Sequence, residues 1–151
     1  DGGKVVVIVA VMLVAYLAIL GLLNGIVGGI VGIDLTTIVG YILSPIAFIM
    51  GIPASEMITA GSVMGTKLLA NEFAAILQFQ PLMADLSDKA VAVVSTFLIS
   101  FANFSSIGII SGSIQAINGA KAKEVSSFGF KLFIVATMAS ILSATIVGLF
   151  I

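Results

Sequence analysis

The stretch from Ala54 to Gln80, ASEMITAGSVMGTKLLANEFAAILQFQ, is apolar enough to enter a bilayer, yet it carries Lys67 and Glu72 near its centre. A charged side chain at the middle of a spanning helix costs roughly 3 kcal/mol, so such residues face protein or a water-filled cavity. A re-entrant helical hairpin turning near Asn71 removes that cost, because it brings Glu72 to a tip lined by polar groups and buried in protein. Its arms then cover residues 54–70 and 73–80. A continuous span with Glu72 facing the interior of a bundle is the competing reading. A Lys67–Glu72 ion pair within one helix is disfavoured, because same-helix pairs prefer spacings of three or four and these residues are five apart.

Outward from this stretch, the gaps between charges give the topology. Val5 to Ile33, Ala90 to Ala120 and Leu132 to Ile151 are free of charge, and each is as long as the roughly 20 residues that a bilayer crossing requires. Asp34 before Leu35 and Ser87 before Asp88 read as helix N-caps, and Asn118-Gly119 reads as a C-terminal stop. The segment 35–50 carries Ser44-Pro45 and ends at Gly51-Ile52-Pro53. It is therefore expected to be a broken or interfacial connecting helix. These boundaries give a first helix over 1–33, the connecting helix over 35–50, the hairpin over 54–80, a spanning helix over 88–118 and a last spanning helix over 122–151. Asp1 at the start and the apolar run at Ile151 give both ends the look of cuts from a longer chain.

The helix over 88–118 holds four polar side chains in the seven residues Ser100 to Ser106. Serine and asparagine compete with the helical backbone for hydrogen bonds, so this is where the helix can unwind and offer free groups to a ligand. Interhelical hydrogen bonding is the bland alternative. Glycines at four-residue spacing (Gly21, Gly25 and Gly29; Gly61 and Gly65; Gly108 and Gly112) read as packing strips, and Asn24 as a hydrogen bond within the bundle. Lys121, Lys123 and Lys131 place the loop 119–124 on the cytoplasmic side by the positive-inside rule.

Composition narrows the function classes. Of 151 residues, 60% are hydrophobic and 9% are charged, against roughly 25% charged in a soluble domain. Mean hydropathy is +1.31. This is an all-α polytopic membrane protein, and the uninterrupted helical spans exclude an outer-membrane barrel. All six basic residues are lysines and the net charge is −1, so no basic stripe exists for nucleic acid. There is no cysteine or histidine, which removes thiolate and imidazole chemistry along with the usual zinc and haem ligands. Ser62 or Ser106 with Lys67 could form a serine-lysine dyad, but no nucleophile elbow supports a hydrolase. The sequence implies neither a cofactor nor a bound metal.

Two segments carry a family likeness. Gly65-Thr66-Lys67-Leu68-Leu69-Ala70-Asn71-Glu72-Phe73 resembles the GTKxxxNEF signature in the C-terminal half of concentrative nucleoside transporters. Phe101-Ala102-Asn103-Phe104-Ser105-Ser106-Ile107-Gly108 resembles their FANFSSIG element. The likeness extends from Leu22-Leu23-Asn24-Gly25 through Gly51-Ile52-Pro53 to the closing segment 143–148. It implies a bacterial inner-membrane homotrimer whose protomers each hold a scaffold domain and a mobile transport domain built on two hairpins and two broken helices. This chain would supply the second hairpin, the second broken helix and two scaffold helices. The resemblance also implies that Glu72, Asn103 and Ser106 hydrogen-bond a nucleoside ribose, that Phe101 lies against the nucleobase region, and that Asn71, Thr66, Lys67 and Ser105 support the site.

The family's first half, with its GQTE-like hairpin tip and most of the Na+ or H+ coupling site, has no counterpart in this sequence. A lone chain is therefore expected neither to bind nor to transport competently. After Phe73 the tip reads Ala74-Ala75, where family members often carry a valine and then an aromatic residue or methionine. A non-transporting membrane assembly subunit, whose polar midplane residues only pin helices together, is the reading from another class. A channel fits less well, because Glu72 stands alone rather than in a ring of charges.

Overall fold

The computed structural model describes residues 2–151; Asp1, the first charge before the opening span, lies outside them. The described residues form seven α-helices and no strand: α1 (Gly2–Val31), α2 (Leu35–Ile49), α3 (Met57–Leu69), α4 (Glu72–Phe79), α5 (Asp88–Leu98), α6 (Phe104–Gln115) and α7 (Gly119–Phe150). A short 3₁₀ helix, Gln80–Asp85, joins α4 to α5. Among the described residues, only α1 and α7 are long and apolar enough to cross a membrane as single helices. The stretch 88–118 is two half-helices of 11 and 12 residues, each about 17 Å long by helical rise and so too short to span alone.

Local chemistry places most helix ends where the sequence puts them. Asp34 caps α2 by accepting from the Thr37 amide, and Ser87 caps α5 by accepting from the Ala90 amide. Two ends differ from expectation. Asn118 is not a stop but the N-cap of α7, accepting from the Lys121 amide at 3.1 Å. Residues 119–124, expected as a loop, are therefore the opening turns of α7, and α6 has already ended at Gln115. An asparagine between two helices can serve either end, and here its side chain bonds forward.

The other correction concerns Pro45, which does not break α2. A proline at that position leaves the Tyr41 carbonyl without its usual amide donor. The Ser44 hydroxyl donates to that carbonyl at 2.8 Å and fills the vacancy. The helix stops instead at a Schellman motif. Gly51, at φ +98, donates to Phe48 O, and Ile52 donates to Ala47 O.

Glycines let α2 and α3 pack backbone to backbone. A Cβ on Gly40 would stand 2.7 Å from Ser62 Cα, and one on Gly65 would stand 3.0 Å from Gly40 N. Gly61 faces the same seam. Gly112 admits Ile8 and Met12 of α1. The α1 strip Gly21, Gly25 and Gly29 meets nothing within 4 Å among the described residues, and neither does Gly108. Asn24 makes the expected bundle contact, donating to Thr36 Oγ1 at 3.2 Å. The core runs through Ala47, Met64, Phe79, Val93, Phe97 and Ala144, which joins α2, α3, α4, α5 and α7 into one apolar mass.

Candidate functional site

The polypeptide leaves helical geometry at two places beside this core, and each ends in an extended asparagine. At the first, Ala70 (φ −97, ψ −94) leads to Asn71 (φ −167, ψ 173), whose side chain accepts from the Ala74 amide and starts α4. α3 and α4 fold back on each other, so that Gln78 Nε2 donates to Ser62 Oγ at 3.1 Å. Glu56 Oε2 accepts from the amide and hydroxyl of Ser87 and closes the base of this hairpin. The continuous-span alternative for 54–80 is thereby excluded, and the second arm begins at Glu72 and continues as 3₁₀ helix to Asp85.

At the second place, α5 ends at Leu98 and residues 99–103 are non-helical before α6. Ala102 N donates to Ser100 O at 3.0 Å in a tight turn. Asn103 then adopts φ −151, ψ 163 and caps α6, its Oδ1 accepting from Ser106 N at 2.8 Å. The same oxygen accepts from Ser105 Oγ at 2.7 Å and Ser106 Oγ at 2.8 Å. The remaining side of the amide bridges the two breaks: Asn103 Nδ2 donates to Glu72 Oε2 at 2.6 Å. Asn103 is 1% exposed and Ser105 and Ser106 are buried, whereas Glu72 is half-buried.

Glu72 occupies the first turn of α4, where a carboxylate is favoured by the helix dipole, typically by about 0.3–1 kcal/mol. Its Oε1 has no hydrogen-bond partner among the described residues, although Oε2 is held. The groups left for a ligand are one free carboxylate oxygen, one further N–H on Asn103, and the lone pairs of a Ser106 hydroxyl whose proton is already donated; Glu72 lines a cavity against α1, Asn103 and Ser106 line another against α7, and Phe101 borders both. That set suits a ligand with adjacent hydroxyls, which donate to the carboxylate and accept from the amide. Phe101 is 54% exposed and Phe73 is 70% exposed. Both line an open cavity with Glu72, Asn71 and Ser105, walled on its far side by Leu13 and Leu17 of α1.

The supporting residues fall into different settings. Asn71 acts as a cap. Thr66 bonds only its own helix, donating to Ser62 O at 3.1 Å. Lys67 is fully buried; it donates to Ser100 Oγ at 2.9 Å and lies 4.4 Å from the centroid of the Phe97 ring. No carboxylate is in ion-pair distance of it among the described residues, so the Lys67–Glu72 pair does not form. Ser62 and Ser106 have other partners, and neither proposed serine-lysine dyad is assembled. Sequence reasoning passed over Ser140 and Glu56. Only tertiary structure brings Ser140 to Ser100 and Glu56 to Ser87, 40 and 31 residues apart in the chain.

A carboxylate at a hairpin tip is thus bridged to the cap of a broken helix in the apolar all-α frame of a helical membrane protein. The chain belongs to the family described as Na+ dependent nucleoside transporter, C-terminus, which it matches over residues 1–148. It is 39% identical over 152 residues to the purine nucleoside transport protein NupG of Bacillus subtilis, covering 99% of this chain and 38% of that protein. Among solved structures it resembles an intermediate state of a CNTnw variant with TM-score 0.89 and 34% identity. It also resembles CNTnw in an inward-facing substrate-bound state, with TM-score 0.81 and 33% identity. Both comparisons cover 99% of this chain and 39% of the solved one. The chain thus spans about two fifths of the length of its relatives. The family is one of transporters, not enzymes.

Proposed function

We propose that this chain is the C-terminal part of a cation-coupled nucleoside symporter. In this reading the ribose hydroxyls are held by Glu72, Asn103 and Ser106, and Phe101 shapes the nucleobase end of the pocket. The observation that carries it is the 2.6 Å bridge from Asn103 to Glu72, which joins the hairpin tip to the helix break and leaves Oε1 free. Asn71 and Ser105 support the site as a cap and as a donor to the Asn103 carbonyl. Lys67 supports it from α3 through Ser100, whereas Thr66 is bonded only within that helix.

The hairpin α3–α4 re-enters the membrane without crossing it, and α5 with α6 forms a broken spanning helix. α1 acts as a scaffold helix. The lysines at the start of α7 place the α6–α7 turn on the cytoplasmic side of the plasma membrane. The coupling ion is Na+ or H+, with its site mainly in the N-terminal portion that the relatives possess. The complete protein is a homotrimer working by alternating access, in which relative movement of the two breaks opens the pocket to each side in turn.

The test is uptake of radiolabelled uridine into vesicles containing the intact transporter, with and without a sodium gradient. Gradient-driven uptake that is lost in Glu72→Ala is the expected result. Uptake without sodium dependence but lost in the variant keeps the nucleoside site and points toward protons. Absence of uptake of any nucleoside by a folded protein overturns the reading and favours the assembly-subunit alternative.

A further inference from the structure

Lys67 is fully buried, with 0% exposure, and it lies in the last turn of α3, one turn before the hairpin tip. A buried ammonium lacking a carboxylate partner needs other compensation. Three features supply it. Its Nζ donates to Ser100 Oγ, the Phe97 ring faces it, and the C-terminal ends of both α3 and α5 converge on it. Carbonyl-rich helix ends are where a cation is favoured.

Beyond Lys67 the Ser100 hydroxyl has two acceptors in reach, Phe97 O at 3.1 Å in its own segment and Ser140 Oγ of α7. Ser100 Oγ is hydrogen-bonded to Ser140 Oγ of α7, and Ser140 Oγ also donates to Ala136 O. With one proton per hydroxyl, Lys67 to Ser100, Ser100 to Ser140 and Ser140 to the Ala136 carbonyl form together when the Ser100 proton turns from Phe97 O to Ser140. In that arrangement Ser100 joins the hairpin to α7.

Ser100 is also the first residue of the tight turn that carries Ala102 and then Asn103. Hairpin and break are consequently joined by two rungs, Lys67 to Ser100 and Glu72 to Asn103. Phe101 projects outward between the two rungs on the break side.

We propose that Lys67, Ser100 and Ser140 form a positioning network that sets the register of the break against the hairpin tip and thereby tunes nucleoside affinity without touching the nucleoside. This rests on the nucleoside site proposed above. Lys67 is a positioning residue whose charge acts through Ser100, and Ser140 is the anchor that couples α7 to the site.

The experiment is a double-mutant cycle on the intact transporter, using Lys67→Met and Ser140→Ala, with equilibrium uridine binding and thermal unfolding as readouts. Methionine keeps an unbranched side chain against Phe97 while removing the charge. Replacing a buried ion by an apolar residue of similar volume need not destabilise. Each single variant is expected to weaken uridine binding about ten-fold, as misplacement of a binding group does. The double variant is expected to be no weaker than the worse single one, because the network acts as a unit. Ser143→Ala, which removes a hydroxyl bonded only to its own helix at Ala139 O, is expected to bind as wild type. Unchanged uridine affinity in both single variants, with or without a lower melting temperature, overturns the proposal, and so do losses that simply multiply in the double variant. If Lys67→Met does not fold, Ser140→Ala and Ser100→Ala decide it, because each removes one hydroxyl; wild-type affinity in both overturns it. Wild-type protein that binds no uridine counts against the nucleoside site itself. Wild type that binds and Glu72→Gln that does not leaves the network alone under test.

Discussion

The two breaks are built alike and used differently. Asn71 and Asn103 are both extended, and each accepts an amide three residues on at 2.8 Å. As caps they are interchangeable with serine, threonine or aspartate, and losing one costs typically about 1 kcal/mol. Asn103, however, also gathers the Ser105 and Ser106 hydroxyls and donates across to Glu72. Among these capping side chains the amide accepts with one atom and donates with another. Asn71 thus ends one helix arm and begins the next, whereas Asn103 joins two segments of the fold into a site.

The comparison breaks most visibly at Asn103→Asp. The new carboxylate keeps the cap but faces Glu72 at hydrogen-bond distance, so uridine affinity in the intact transporter should fall by about a hundred-fold or more, given the cost of unpaired buried charge. Titration calorimetry checks this, and a small effect would mean that the bridge does not form in the membrane. Ser106→Ala removes one of three donors to Asn103 Oδ1 together with an acceptor for the ligand. Its loss should be about ten-fold in affinity, the worth of a single hydrogen bond. Asn71→Ala should lower stability by about 1 kcal/mol, recovered by Asn71→Ser, with affinity changed less than at Asn103. Thermal unfolding of the pair measures this directly. Thr66→Val, which removes a hydroxyl bonded only to Ser62 O, should leave uridine affinity within about two-fold, as expected for a group satisfied inside its own helix.

What was legible in the sequence was whatever the chain settles within a few residues. The Asp34 and Ser87 caps, the turn at Asn71 and the unwinding within 100–106 follow from side chains that compete with the backbone locally. Pro45 misled because its rescue depends on the rotamer of its neighbour Ser44, which donates to the carbonyl that the proline leaves free. Asn118 misled because an asparagine between helices carries no mark of which helix it caps. The glycine pattern was equally visible on α1 and α3, yet only Gly61 and Gly65 meet another backbone here. Spacing shows that a close approach is possible and says nothing of what approaches. Within the site, the Glu72 and Asn103 positions could be read from buried polarity, while the Lys67–Ser100–Ser140 connection required the fold.

The central claim is that Glu72 and Asn103 together recognise the ribose diol. The most direct test compares binding of uridine and 2′,3′-dideoxyuridine to the intact transporter in wild type and in Glu72→Gln. Wild type should strongly prefer uridine, and the preference should collapse in the variant, because glutamine has no charge and a single accepting oxygen, for which the Asn103 amide competes. If Glu72→Gln weakens the two ligands by the same factor and keeps the preference, the diol is read elsewhere and the account is wrong.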